Sequence, residues 1–243
     1  MSRPPQRWEL LAPPHSNAIL DSFSPSVRAL FGERLVAVPL PVHASLYENN
    51  SEPQFGYFMT SGVASVVGNT PEGHLAEVSI VGREGVTGSL HLLGSLPAAT
   101  QCFVQVAGTA LRYPFADLRR LFRDSAPVRD AVLSFVQKQS VVLEQISTCQ
   151  LFHEAHSRLA RWLLMIQDRT GSDEFSLTQE FLSEMLGSGR PTVTLACGAL
   201  QRTGAILIRR GHITIVNREE LKQQACSCYL VAERCFHAKP SGR

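Results

Sequence analysis

LTQEFLSEMLGSGRPTVTLACGALQRTGAI, residues 177–206, is the stretch that decides the fold of this 243-residue chain. Two helices crossing at a steep angle need a three- to four-residue turn that is small, with apolar residues on the faces that meet. Gly187-Ser188-Gly189 supplies the turn. Phe181, Leu182, Met185 and Leu186 form one apolar face, and Val193, Ala196 and Leu200 form the other. The spacing predicts helices over 177–186 and about 190–203, with Ser188 as a cap for the second.

Working outward, Ile206–Val216 reads as two short β runs around an Arg210-Gly211 turn. Upstream, HSRLARWLLMIQDRTGSDE reads as an amphipathic helix with Leu159, Trp162, Leu163 and Ile166 on one side, stopping at Thr170-Gly171. Helix, helix, turn, helix, hairpin is the order of a winged helix-turn-helix. Between Met185 and Arg218 there are five arginines (190, 202, 209, 210, 218) and no Asp or Glu. The backbone N–H groups at the start of the second helix suit a phosphate. Arg190 suits a guanine edge or a phosphate, Thr192 and Thr194 suit further contacts, and Arg209, Arg210 and His212 suit phosphates beside the groove. With Thr178, Ser188, Gly189, Pro191, Leu195, Gly198 and Arg202 they make the expected DNA-contacting set. The competing reading is a ligand-binding adaptor whose winged helix meets protein rather than DNA.

From Val128 the apolar residues Val128, Val132, Phe135, Val136, Leu143, Ile146 and Cys149 recur at three- and four-residue spacing without Gly or Pro, the pattern of one long helix. Ser125 and Pro127 suit its start. Such a helix lies on a domain core or pairs with its copy, and the spacing favours a dimer through Val128, Val132, Phe135, Val136, Leu143 and Ile146. Between Leu35 and Pro114 short apolar runs are broken by turns such as Gly68-Asn69 and Glu72-Gly73, which indicates an antiparallel β sandwich or roll. The expected fold is therefore α+β: a jelly-roll-like antiparallel β roll over 17–124, a dimerisation helix over 125–150 and a winged helix-turn-helix over 151–236. Tails are expected over 1–16 and 237–243.

Formal net charge is only +2, so the clustering of arginine matters more than the total. No run approaches the roughly 18 uninterrupted apolar residues of a membrane helix, and the N-terminal text lacks a secretory pattern, so a cytoplasmic protein with no membrane partner is expected. Six cysteines at 102, 149, 197, 226, 228 and 235 are then expected as thiols. Cys226-x-Cys228 with Cys235 could bind a metal or act as a thiol switch, but NREELKQQACSCYLVAERCF reads as one helix, on which positions two apart do not share a face, so packing residues rather than a metal site are expected there. No phosphate-binding Gly-Lys-Ser/Thr loop, G-x-S-x-G elbow or H-E-x-x-H occurs, so no enzyme is expected.

The motif LTQEFLSEMLG-x-x-R-x-TV resembles the Crp/Fnr family of bacterial regulators. YFMTSGVAS (57–65), VGREG (81–85), RLARWLLM (158–165), ALQRTG (199–204), RRGHITI (209–215) and ACSCY (225–229) resemble one branch of it. The resemblance spans about residues 17–236. It implies a cyclic-nucleotide-binding-type β roll, a homodimer, and a two-fold related operator on double-stranded DNA with half-sites about 34 Å apart. It also implies contact with RNA polymerase if the protein activates transcription. Members that read a GTGA-type half-site carry Arg, an adjacent Glu and a second Arg; Arg190 is kept here, but Pro191 and Leu195 stand at the other two positions. A different operator is expected.

Cyclic-nucleotide-binding members hold the ribose with Glu and the phosphate with Arg. Alignment places Ser89 and Gln101 at those positions, so cyclic nucleotide is not the expected ligand and no cofactor is expected. A different small effector remains open, with Arg83, Gly88, Ser89, Leu90, Gln101 and Cys102 as the expected pocket. No cysteine precedes Cys102, which excludes the N-terminal iron-sulfur mode of oxygen-sensing members. His43, His74 and His91 are read as ordinary polar groups rather than haem ligands.

Overall fold

A computed structural model describes residues 16–96 and 98–237; the expected tails fall almost wholly outside them. The chain divides into two compact units, one running to Val66 and resuming at Ser79–Gln137, the other formed by Val67–Val78 and the chain from Lys138 onward. The boundary at 137/138 falls inside the long helix.

The first unit begins with α1 (Ala18–Asp21) and α2 (Pro25–Arg28). Asn17 is buried because its side chain does two jobs. Its Oδ1 accepts from the N–H groups of Ile19 and Leu20, which caps α1, while its Nδ2 donates to the carbonyls of Met59 (2.9 Å) and Gly85 (2.8 Å). Seven strands follow among the described residues: β1 (Val36–Leu40), β2 (Ser45–Tyr47), β3 (Phe55–Met59), β4 (Val63–Asn69), β5 (Leu75–Val81), β6 (Thr100–Val106) and β7 (Gly108–Pro114), with the end of β4 from Val67 and the start of β5 to Val78 counted in the second unit. They form sheets of order β1-β7-β3 and β2-β6-β4-β5, and β7 runs antiparallel to both of its neighbours. This is the expected antiparallel roll. Phe31 sits at its aromatic centre, edge-on to Phe58 and Tyr113 with ring centroids at 5.8 and 5.1 Å.

A ten-residue helix, α3 (Phe115–Asp124), precedes the 27-residue α4 (Ala126–Phe152). Ser125 lies between them: its N–H closes α3 on Leu121, and its carbonyl accepts from Arg129 at the start of α4. The apolar stripe on α4 is where the spacing puts it, but its partner differs from the expected one. Val128, Val132, Phe135 and Val136 are buried within the single chain, at 1%, 0%, 3% and 8% exposure, and so cannot form a dimer seam. The far end of the Phe135 ring lies against Gly85, where a Cβ would overlap it. Leu143 and Ile146, further along the same face, are exposed and half-buried. Periodicity identifies the apolar face of a helix; it does not say whether that face meets the same chain or another.

The second unit is built on α5 (Ala155–Thr170), ended by Gly171 in the left-handed conformation as expected. The expected one-sided burial is exceeded, since every residue from Arg158 to Gln167 is buried. Around α5 stand β8 (Glu174–Ser176), α6 (Gln179–Leu186), α7 (Arg190–Arg202), β9 (Ile206–Arg209), β10 (His212–Ile215), α8 (Arg218–Gln224) and α9 (Tyr229–His237). Both helix-turn-helix elements match their expected bounds within two residues. The hairpin gains an unanticipated third strand, in the order β8-β10-β9. The single helix expected at the C-terminal end is two: Ala225 adopts an extended backbone, and Cys226 turns its N–H to the Ser157 carbonyl on α5 at 3.3 Å. Among the described residues no helix is long and apolar enough to cross a membrane.

Replacing Gly85 with Ala forces the Phe135 ring off its seat. The expected result is a loss of about 1–3 kcal/mol in denaturant unfolding, partly restored when Phe135→Leu is added to make room.

Candidate nucleic-acid interface

Gly187, at φ 55°, ends α6 in the left-handed region, and Ser188 and Gly189 complete the turn. Ser188 does not cap α7 as expected. Gly189 occupies the N-cap position with no side-chain bond, while the Ser188 hydroxyl accepts from Nη2 of Arg158 at 2.7 Å and itself faces the Leu186 carbonyl. Arg158 also donates to that carbonyl through Nη1 (3.4 Å). A buried guanidinium on α5 thus holds the turn that sets the crossing of α6 and α7. The clue in the sequence was an arginine on the apolar side of the helix, directly before Leu159.

α7 buries Val193, Ala196, Cys197 and Leu200 and turns the opposite arc to solvent. Arg190, Pro191, Thr192, Thr194, Leu195 and Arg202 are all exposed on that arc, with Gly198 half-buried among them. Leu195 is 73% exposed, a large apolar side chain where packing gives no reason for one. Thr178 caps α6, its hydroxyl accepting from the Phe181 N–H at 3.1 Å. The Thr194 hydroxyl lies 2.8 Å from Gln179 Oε1 and 3.0 Å from the Arg190 carbonyl. Arg190 is not a free cation: its Nη2 forms an ion pair with Glu180. Glu180 precedes the acid-free window of the sequence, and the tight turn brings it back onto α7.

In the hairpin, Arg209 pairs opposite His212 across a two-residue loop. Arg210 and Gly211 both have positive φ, 47° and 82°, as a type I′ turn demands. Arg209, Arg210 and His212 are exposed, and His212 Nδ1 lies 3.1 Å from the Ser176 hydroxyl. Arg218 leaves the expected basic surface. It turns inward to Asp168 (2.6 Å) and the Tyr229 hydroxyl (2.9 Å), tying α8 and α9 to α5.

Sequence-profile comparison matches residues 157–224 to the Crp-like helix-turn-helix domain. These residues are a Crp-like helix-turn-helix domain. The chain is also 21% identical, over 85% of its length and 96% of the relative's, to the CRP-like cAMP-activated global transcriptional regulator of Mycobacterium tuberculosis. Its fold resembles that of a Crp/Fnr-family regulator from Eubacterium rectale, with a TM-score of 0.68 and 17% identity over 85% of this chain and 96% of the other. The c-di-GMP-responsive global regulator CLP of Xanthomonas campestris gives a TM-score of 0.65 and 14% identity over 80% of this chain and the whole of that one. Over the 80–85% of the chain that aligns, the fold is similar to that of these two regulators. Ser188, Gly189 and the exposed arc of α7 all lie within the matched Crp-like domain, as does the Arg158 clamp beneath them.

The residues expected to form an effector pocket are split by burial. Arg83 is exposed and, among the described residues, only its carbonyl is engaged, by Ala18; Leu90 is 53% exposed. Gly88, at φ 74°, opens a 3-10 turn carrying buried Ser89 and His91, Gln101 is half-buried, and Cys102 is fully buried, which raises its thiol pKa. A shallow cleft in the same unit is lined by Ala37, Val38, Pro39, Thr60, Thr109, Ala110 and Leu111, none of them in the expected set. His91 proves more unusual than expected. It is 3% exposed and edge-on to Tyr47 and Phe115, with neither ring nitrogen hydrogen-bonded among the described residues, and burial lowers its pKa.

The break between α8 and α9 removes the premise behind the expected isolation of the cysteines. Cys226 lies with its sulfur 3.5 Å from that of Cys149, and the Cys228 sulfur lies 3.6 Å from His153 Nδ1. The hydrogen bond between the first two, aided by burial, pushes Cys149 up to about 12, and the same bond, working against burial, holds Cys226 down at about 7.

Arg158→Met leaves the exposed surface of the Crp-like domain untouched but removes both bonds to the turn. Its expected cost is about 1–3 kcal/mol of stability, measured by chemical unfolding.

Proposed function

We propose that the chain is a homodimeric, sequence-specific DNA-binding transcriptional regulator. The observation that carries this reading is the exposed arc of α7, which presents Arg190, Thr192, Thr194, Leu195 and Arg202 and is flanked by the arginines of the hairpin. α7 would enter the major groove, with Arg190 exchanging Glu180 for a guanine edge and Leu195 resting on a thymine methyl group. The uncapped first turn of α7 and the hairpin arginines would meet phosphates. Pro191 and Leu195 favour an operator distinct from the GTGA-type half-site.

Leu133, Val141, Leu151 and Phe152 support the dimer. They lie along one side of α4 and are exposed, Leu151 and Phe152 at 79% and 77%. With the opposite stripe of α4 occupied by its own chain, this side is the one left for a second copy. Where the regulator activates, RNA polymerase is its further partner. A small effector would be received at the 3-10 turn of Ser89 and His91, where buried polar groups face the roll, and Ser89 and Gln101 argue against cyclic AMP. Added cyclic AMP is accordingly expected to leave DNA affinity unchanged.

Selection from a random duplex library should enrich a two-fold symmetric motif. Arg190→Ala is expected to cost about 1–3 kcal/mol on that motif and relax one base pair in each half-site. Unchanged specific binding in this variant would remove α7 as the reading helix. Arg210→Asn keeps the turn, because Asn tolerates positive φ, but discharges it. Affinity should fall alike for all sequences and the salt slope should drop by about 1, while thermal stability holds or rises. A protein-binding adaptor would show no steep salt dependence on DNA.

A further inference from the structure

Cys149, His153, Cys226 and Cys228 come from two segments far apart in sequence, yet their four ligand atoms all lie within 4.8 Å of one another. Cys149 and His153 are one helical turn apart at the end of α4, where the His153 N–H donates to the Cys149 carbonyl. Cys226 and Cys228 lie in the non-helical break between α8 and α9, which lets two residues separated by one position face the same point.

We propose that Cys149, His153, Cys226 and Cys228 form a structural zinc site that fastens the end of α4 to the break between α8 and α9. A tetrahedral zinc at about 2.3 Å from sulfur and about 2.0–2.1 Å from nitrogen sets edges of about 3.8 Å between sulfurs and about 3.6 Å between sulfur and nitrogen. The 3.5 Å Cys149–Cys226 and 3.6 Å Cys228–His153 separations fit those edges. Three soft thiolates with one imidazole suit zinc over magnesium or calcium, and four protein ligands close the site to substrate, as in structural centres.

The surroundings supply the outer contacts of such a centre. Gln145 Nε2 donates to the Cys228 sulfur at 3.1 Å, orienting it. Arg158 and Arg161 are 9% and 3% exposed, neither meets a carboxylate among the described residues, and the Nε of each lacks a hydrogen-bond partner there. Both act electrostatically on the cysteine cluster. Zinc with three thiolates carries one net negative charge, which would offset part of the positive charge of the two buried guanidiniums. Since Arg158 also holds the helix-turn-helix turn, the zinc site would stand behind the geometry of α7.

The test is metal analysis of the full-length protein, purified without chelator or an immobilised-metal step. About one zinc per chain is expected, lost in Cys149→Ser and Cys228→Ser and kept in Cys235→Ser, which lies outside the cluster. Should the serine variants fail to fold, cobalt(II) added to the metal-stripped native chain gives a second readout. A tetrahedral thiolate spectrum that zinc abolishes is expected, together with an unfolding midpoint raised by zinc. Wild-type protein with no zinc and no tetrahedral cobalt spectrum would overturn the proposal. So would zinc at full stoichiometry in Cys149→Ser, or a Cys149–Cys226 disulfide found by alkylation under denaturing conditions.

Discussion

The second unit depends on the complete burial of α5. A helix buried all round must find partners on every side, and those of α5 are α6 and α7 on one flank and α8 and α9 on another. Burial also takes charged residues with it, because Arg158, Arg161 and Arg169 are spaced along the same sixteen residues as the leucines. Each such side chain is costly to bury unless engaged. Arg158 is engaged by the α6–α7 turn, and Arg169 by the Met165 carbonyl and the face of Phe236. The core helix therefore places the helix-turn-helix by polar as well as apolar contacts. Apolar packing fixes that α6 and α7 lie on α5, and the guanidinium fixes where their turn stands.

Local rules made much of this legible. The α6–α7 pair was readable because the Gly187-Ser188-Gly189 turn and the apolar spacing on either side of it all act within a few residues. The same holds for the Gly171 stop and the Arg210-Gly211 turn. What escaped depends on groups distant in sequence. Ser188 looks like a cap when only its neighbours are considered, and becomes a ligand of Arg158 thirty residues away. Glu180 was outside the window in which the charges were counted. The stripe of Val128, Val132, Phe135 and Val136 was found, but only the position of Gly85 shows what covers it.

The C-terminal segment illustrates the same limit in reverse. Residues 217–236 have a sound helical pattern, and Asn217 does cap a helix, its side chain accepting from the Glu220 N–H. The pattern fails at Ala225 because the chain gains more by docking on α5. Arg218, Asp168 and Tyr229 hold both sides of the break, and Cys226, within it, donates its N–H to the Ser157 carbonyl on α5. In the β roll, strand positions were legible from turn residues, whereas a pocket depends on which side chains turn inward from separate strands. Leu90 and Ser89 are adjacent in sequence, yet one is exposed and the other buried.

The Glu180–Arg190 pair gives the free α7 surface an internal anion. An arginine released from a carboxylate to a base edge expels no condensed counterion of its own, so this contact would be nearly silent in a salt titration. In the complex proposed above, the carboxylate left behind would face the duplex and repel any phosphate not compensated by a correctly placed guanine. Discrimination would then come partly from an acidic side chain that touches no base, and chance encounters with unrelated DNA would be shortened by it.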